Sequence, residues 1–225
     1  MEISEKIIEV NREIKEICKN LDRDVNEITI LGASKSQSLE NIKEAFNGGI
    51  KNFGENYLQE AELKIKSLQE DITWHFIGSI QTRKAKKIAE IFDWVHAVDS
   101  LKVAKKLNDS RPKTKKPLQV CIQLNIDEEI SKSGISSSEI EVFLSECSDL
   151  KNIEVRGLMV IPKPRESSQD QHEVFKQVKG IFDSLNQKNI KIDTLSMGMS
   201  SDYGPAIKEG STMVRIGTGI FGLRK

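Results

Sequence analysis

The chain has 225 residues, with 34 basic and 34 acidic side chains and 37% hydrophobic content, enough to bury the core of one large domain or two small ones. The cancelled charge leaves no net field to draw it onto nucleic acid or an anionic membrane. Its three cysteines, Cys18, Cys121 and Cys147, are scattered and form no C-x-x-C pair, which argues against a disulfide framework or a zinc site and for free thiols in a reducing compartment.

The opening segment places Ile3, Ile7, Val10, Ile14 and Ile17 at helical spacing, so it reads as an amphipathic helix. Charges run through it, and it lacks the apolar run of a signal peptide. No stretch approaches the ~18 apolar residues of a membrane span. A cytoplasmic chain is the expectation.

From Ile28 onward, short β-rich runs alternate with helical patterns. The strand candidates begin at Ile28, Gly49, Ile72, Asp93, Leu118, Ile153, Ile190 and Thr212. Helical stretches between them include LENIKEAFNG, AKKIAEIF, SSSEIEVFLSEC and HEVFKQVKGIFDSLNQK. The first four strands recur about every 22 residues, the length of one strand, one loop and one helix, which implies parallel strands with helical crossovers. Eight strands at this length predict a single α/β domain over residues 1–225, a closed (β/α)8 barrel of the TIM type with an extra N-terminal helix. An open doubly wound sheet is the alternative, but it usually carries fewer strands. The segment SRPKTKKPL reads as a solvated loop.

The last strand runs into G-T-G-I-F-G at residues 217–222. This hexapeptide matches the dinucleotide fingerprint in spacing only, because no following helix or acidic residue about 20 positions on is available in this sequence. Phosphate binding survives as a reading. Barrels usually hold phosphate after strands seven and eight. Here strand seven runs into SMGMSSDYGPAI, where Ser200 and Ser201 are placed to cap a helix or donate to an anion, and strand eight into Gly217, Thr218 and Gly219.

Closure of the barrel puts strand one beside strand eight. Lys35 follows strand one with the parity of Leu31 and Ala33, so it is expected at the rim beside that cradle. An amine in a partly dry site becomes nucleophilic towards a carbonyl. A lysine beside a phosphate cradle suits an aldehyde that carries a phosphate, and pyridoxal 5′-phosphate (PLP) fits that description. Arg215 shares parity with Met213 and Gly217, pointing inward below the cradle. Its partner is either a pyridine nitrogen or a carboxylate inside the barrel.

The ordered set SKSQSLENIKEA, FGENYLQEA, WHFIGSIQTRKAK, NIDEEISKSGI, RGLMVIP, LSMGMSSDYGPAI and GSTMVRIGTGIFG resembles the pyridoxal phosphate homeostasis family, the YggS/PROSC group, over nearly the whole chain from Ile28. The resemblance implies the fold of the alanine racemase N-terminal barrel. It implies PLP held as a Schiff base on Lys35, phosphate contacts from Ser200, Gly217 and Thr218, and Arg215 beside the pyridine nitrogen. Asn56 and His75 match positions expected to line the pocket. The family's function is vitamin B6 homeostasis without established turnover. Two departures, Ser36 for a threonine and Arg83 for an asparagine, touch no proposed cofactor contact.

A PLP-dependent racemase or decarboxylase is the competing function. Racemisation needs a second base, which the related racemase takes from a tyrosine of another domain, and the tyrosines here are Tyr57 and Tyr203. An arginine at the ring nitrogen also weakens the electron sink. The basic runs RKAKK and KTKK read as solvated faces, not as a nucleic-acid module. Lys132 is a candidate second lysine near the cofactor, and Met159 and Met197 read as packing residues. A monomer is expected, with PLP-requiring apoenzymes as its acceptors and no metal.

Overall fold

A computed structural model describes residues 2–129, 133–165 and 167–223. Lys132 lies outside the described residues. Helix α1 (Ile3–Asn20) is the predicted N-terminal helix, and the Glu5 carboxylate accepts from the Glu2 N–H at 3.0 Å to close its first turn. It buries Ile3, Ile7, Val10 and Ile14 as the spacing predicts, but Cys18 completes the buried stripe and Ile17 is only partly covered. A run of seven residues at a 3.6 period drifts by a fraction of a turn, which carries the stripe from Ile17 to Cys18.

The strands are β1 (Thr29–Ala33), β2 (Asn52–Glu55), β3 (Thr73–Phe76), β4 (Trp94–Val98), β5 (Leu118–Leu124), β6 (Ile153–Val160), β7 (Thr194–Met199) and β8 (Met213–Ile216). They close in sequence order into one parallel barrel. The closing pair sets Leu31 opposite Arg215 and Gly32 opposite Ile216. Outside lie α2 (Leu39–Asn47), α3 (Leu58–Ser67), α4 (Ala85–Ile91), α5 (Leu101–Ser110), α6 (Ile140–Cys147) and α7 (Ser168–Gln187), followed by the short α8 (Tyr203–Lys208) and α9 (Thr218–Phe221). The barrel expectation holds. Strand two is shorter than its β-rich run, starting at Asn52 and not at Gly49, because Gly49 adopts φ +104° and ends the turn out of α2.

The alternation of each strand sorts its side chains between two cores. Outward residues such as Phe53, Phe76, Val95, Ile122 and Leu195 pack under the helices in the main apolar cluster. Inside the barrel a small cluster of Ala97, Cys121 and Met159 packs with Trp94. All three cysteines are free and buried.

One local irregularity positions the site. The β7–β8 register shifts between Ser196 and Met199, with Gly198 at φ +92° inside the shift. A Cβ there would sit 2.6 Å from that of Ala206, so only glycine fits both the dihedral and the space. The shift turns the exit of β7 towards the exit of β8.

Candidate functional site

At the carboxyl ends of the strands lies a cavity of about 470 Å³, lined by Lys35, Asn56, Ser200, Arg215, Gly217 and Thr218. These are six of the seven residues that sequence reasoning singled out. Ile77, Ile161 and Met199 supply apolar wall. The volume is that of a small-molecule site.

The turns after β7 and β8 are joined by one hydroxyl. Ser200 Oγ accepts from the backbone N–H of Gly217 and of Gly219, each at 3.2 Å. A hydroxyl that accepts twice keeps its own proton to donate, so the cradle presents an O–H where the sequence suggested the glycine amides themselves. Ser200 does not cap α8, because Asp202 takes that position and its Oδ1 accepts from Met199 N–H at 2.6 Å. The Thr218 backbone N–H has no protein acceptor among the described residues. Gly219 is required by close approach: a Cβ there would stand 2.8 Å from Ile216 Cγ2. At Gly217 an added Cβ would meet only Ala33, at 3.7 Å.

Arg215 forms the floor. Nη1 donates to Ser196 O and Ser196 Oγ, both at 2.7 Å, and Nη2 donates to Val160 O at 2.9 Å. No carboxylate is in ion-pair contact with it among the described residues, so the internal salt bridge considered from the sequence is absent there. Three of its five N–H donors are used, and Nε–H and one Nη2–H have no protein acceptor among the described residues. Burial pushes its pKa down to about 10, so it stays charged at neutral pH.

His75 is the exception among the predicted residues. It is fully buried inside the barrel and does not line the cavity. It belongs to a chain below the floor that runs from Asn52 Oδ1 to His75 Nε2 (3.0 Å), from His75 Nδ1 to His96 Nε2 (2.9 Å) and from His96 Nδ1 to Ser196 Oγ (3.0 Å). Asn52 Oδ1 can only accept, and with both imidazoles neutral this fixes every proton in the chain. Ser196 Oγ accepts from Arg215 and donates to His96 Nδ1. His96 Nε2–H then donates to His75 Nδ1, and His75 Nε2–H to Asn52 Oδ1. Burial holds His75 neutral, down to about 3, and His96 well below the ordinary imidazole value. His96 and Ser196 were not anticipated. Their signal was a histidine at the inward parity of β4 and a serine among the apolar residues of β7 that follow Thr194.

A second polar cluster, charged this time, lies behind Lys35. Glu55 is fully buried and Lys64 is 5% exposed. Lys64 Nζ donates to Glu55 Oε1 at 2.8 Å, to Glu60 Oε1 at 2.6 Å and to Ser34 O at 2.7 Å. Sequence reasoning missed it, because Glu55 and Lys64 meet only once β2 and α3 fold back on the turn after β1.

Asn56 Oδ1, on the cavity wall, and Glu55 Oε2 are buried without a hydrogen-bond partner among the described residues. Tyr57 is exposed, and Tyr203 is buried with its hydroxyl donating to Glu13 of α1. Neither tyrosine lines the cavity. No described helix is long and apolar enough to cross a membrane.

Comparisons with known proteins agree with this architecture. Residues 18–225 match the family described as "Alanine racemase, N-terminal domain". The chain is 43% identical to the pyridoxal phosphate homeostasis protein of Escherichia coli, over 99% of this chain and 97% of that one. It is also 43% identical to the protein of that name from Pseudomonas aeruginosa, over 99% and 96%. Among solved structures, PipY of Synechococcus elongatus with PLP bound superposes with a TM-score of 0.81 at 31% identity, covering 93% of this chain and all, 100%, of that one. An alanine racemase of Clostridium difficile shares the fold at a TM-score of 0.75 and 17% identity, with 95% of this chain covering 59% of that one. The chain belongs to the pyridoxal phosphate homeostasis family, built on the barrel of the alanine racemase N-terminal domain.

Proposed function

We propose that the chain binds PLP in this cavity, with Lys35 as the Schiff-base lysine, and that it serves intracellular cofactor homeostasis and supply without substantial turnover. One observation carries the reading: a lysine amine, a charged guanidinium with unused donors and a hydroxyl-bearing anion cradle line the same cavity. PLP supplies an aldehyde for an amine to capture, a phosphate and a pyridine nitrogen. The residues fit each part. Lys35 provides the amine, Ser200 and Thr218 the donors for the phosphate beside Gly217, and Arg215 a donor for the ring nitrogen. Asn56 Oδ1 offers an acceptor on the wall that is unpaired among the described residues, which suits a donor on the ligand or on an incoming amine.

An arginine at the ring nitrogen donates a hydrogen bond and gives up no proton at neutral pH, so the ring lacks the positive charge that carbanion chemistry exploits. Tyr57 faces solvent and Tyr203 is tied to Glu13, which leaves neither placed as a second base. Both points support the homeostasis reading over racemisation or decarboxylation. The proposal extends to a cytoplasmic monomer that is one domain over residues 1–225 and passes PLP to apoenzymes.

Borohydride reduction of the PLP-loaded protein and peptide mapping should place the pyridoxyl adduct on Lys35, and Lys35→Ala should lose the imine absorbance. An adduct confined to another lysine refutes the assignment. The turnover reading is tested by α-proton exchange in deuterated water with L- and D-amino acids. Exchange on the order of 1 per second or faster, lost in Lys35→Ala, makes the protein an enzyme.

A further inference from the structure

Glu55, Glu60 and Lys64 line no part of the cavity, yet their contacts converge on the two residues flanking Lys35. On one side, Ser34 Oγ donates to Glu55 Oε1 at 2.6 Å and Ser34 O accepts from Lys64 Nζ at 2.7 Å. Ser34 N–H is held by Gly54 O at 2.9 Å, so every polar atom of Ser34 is engaged. On the other side, Ser36 N–H donates to Glu60 Oε1 at 2.6 Å, and Ser36 adopts φ +62°, the left-handed region that a serine avoids without compensation. Glu60 Oε1 also takes Lys64, which ties the two sides together. Lys64 therefore spends all three ammonium donors on this bracket.

A buried ion pair is a poor device for stability alone, because apolar residues of the same volume serve as well. Its geometric effect is specific. With Ser34 and Ser36 both pinned, the backbone on either side of Lys35 is held, which sets the direction of its Cα–Cβ bond at the rim of β1.

We propose that Glu55, Glu60 and Lys64 are positioning residues that hold Lys35 for attack on the aldehyde. This rests on Lys35 being the imine lysine. In that step the amine nitrogen bonds to the aldehyde carbon, and water leaves with the aldehyde oxygen and two protons from the nitrogen. Misplacing the nucleophile slows the step without touching the phosphate cradle or Arg215. Pyridoxine 5′-phosphate, which keeps ring and phosphate but has an alcohol where PLP has the aldehyde, separates the two effects.

The test measures the growth of imine absorbance after mixing each variant with PLP, and the calorimetric affinity of the same variant for pyridoxine 5′-phosphate. Lys64→Met and Glu60→Ala are expected to slow imine formation on the order of ten- to a hundredfold while leaving pyridoxine 5′-phosphate affinity unchanged. Glu60→Gln, which keeps an oxygen for Ser36 N–H, should recover most of the rate. Should Lys64→Met fail to fold, the Glu60 pair, on a partly exposed side chain, decides the matter. Unchanged imine rates, a parallel loss of both readouts, or equal slowing in Glu60→Ala and Glu60→Gln each overturn the proposal. Adduct mapping on the wild-type protein separately tests whether Lys35 is the lysine at all.

Discussion

Two buried polar systems flank the cavity and solve the same problem by opposite means. Behind Lys35, Lys64 is paired as an ion with Glu55 and with Glu60. Beneath Arg215, Asn52, His75, His96 and Ser196 form a neutral chain that meets a charge only at its last member. The charged cluster fixes backbone, on either side of a nucleophile. The neutral chain fixes a side chain, the guanidinium, by giving Ser196 Oγ a single proton arrangement. The difference teaches that burial at this site is tolerated wherever each donor finds an acceptor, whatever the charge.

The comparison breaks sharply at Glu55. Glu55→Leu leaves Lys64 with a buried charge and one carboxylate fewer, a loss of about 3–5 kcal/mol in urea unfolding. The double variant Glu55→Leu with Lys64→Met should regain much of it, since both ions are then gone. A double variant no more stable than the single would show that the cluster is not a coupled pair.

In the neutral chain the corresponding break is His96→Leu. It strands His75 Nδ1 and the Ser196 hydroxyl proton, two buried groups at about 1–3 kcal/mol each. Together that is a loss of about 2–6 kcal/mol, comparable to Glu55→Leu in the same denaturation, and a stability equal to wild type would deny that the chain is continuous.

The gentlest probe is pH, to which the two systems respond with opposite sign. Burial depresses His75 to about 3 and His96 well below its ordinary value. Above about pH 6.5 neither the folded nor the unfolded chain protonates them, and their contribution is complete. As pH falls from there towards 3, only the unfolded chain takes up protons, and stability drops by up to about 1.4 kcal/mol per pH unit for each histidine. Burial raises Glu55 despite the opposing pull of Lys64, so its contribution is full below the ordinary carboxylate value and declines as pH rises through the folded one. Unfolding measured between pH 7 and 5 should therefore be steeper in wild type than in a variant with both histidines changed to glutamine. Equal slopes would contradict neutral burial.

Much of this was legible in the chain. Short β-rich runs marked all eight strands, and their alternation with helical stretches implied the parallel barrel, because strand and helix preferences are local properties of consecutive residues. The parity of Lys35 with Leu31 and of Arg215 with Gly217 placed both at the cavity, since alternation along a strand fixes the facing side. His75 marks where that reasoning stops. Its parity says inward, but its depth depends on how far neighbouring strands are staggered around the closed barrel, and it lies below the floor. Long-range pairing decided the rest. Ser200 binds the amides of Gly217 and Gly219 because the register shift at Gly198 brings two strand exits together. His96 meets Ser196 a hundred residues away across the barrel interior. Glu55 and Lys64 meet only because β2 and α3 enclose them. Sequence spacing determines which way a side chain points, but only closure of the sheet determines what it meets there.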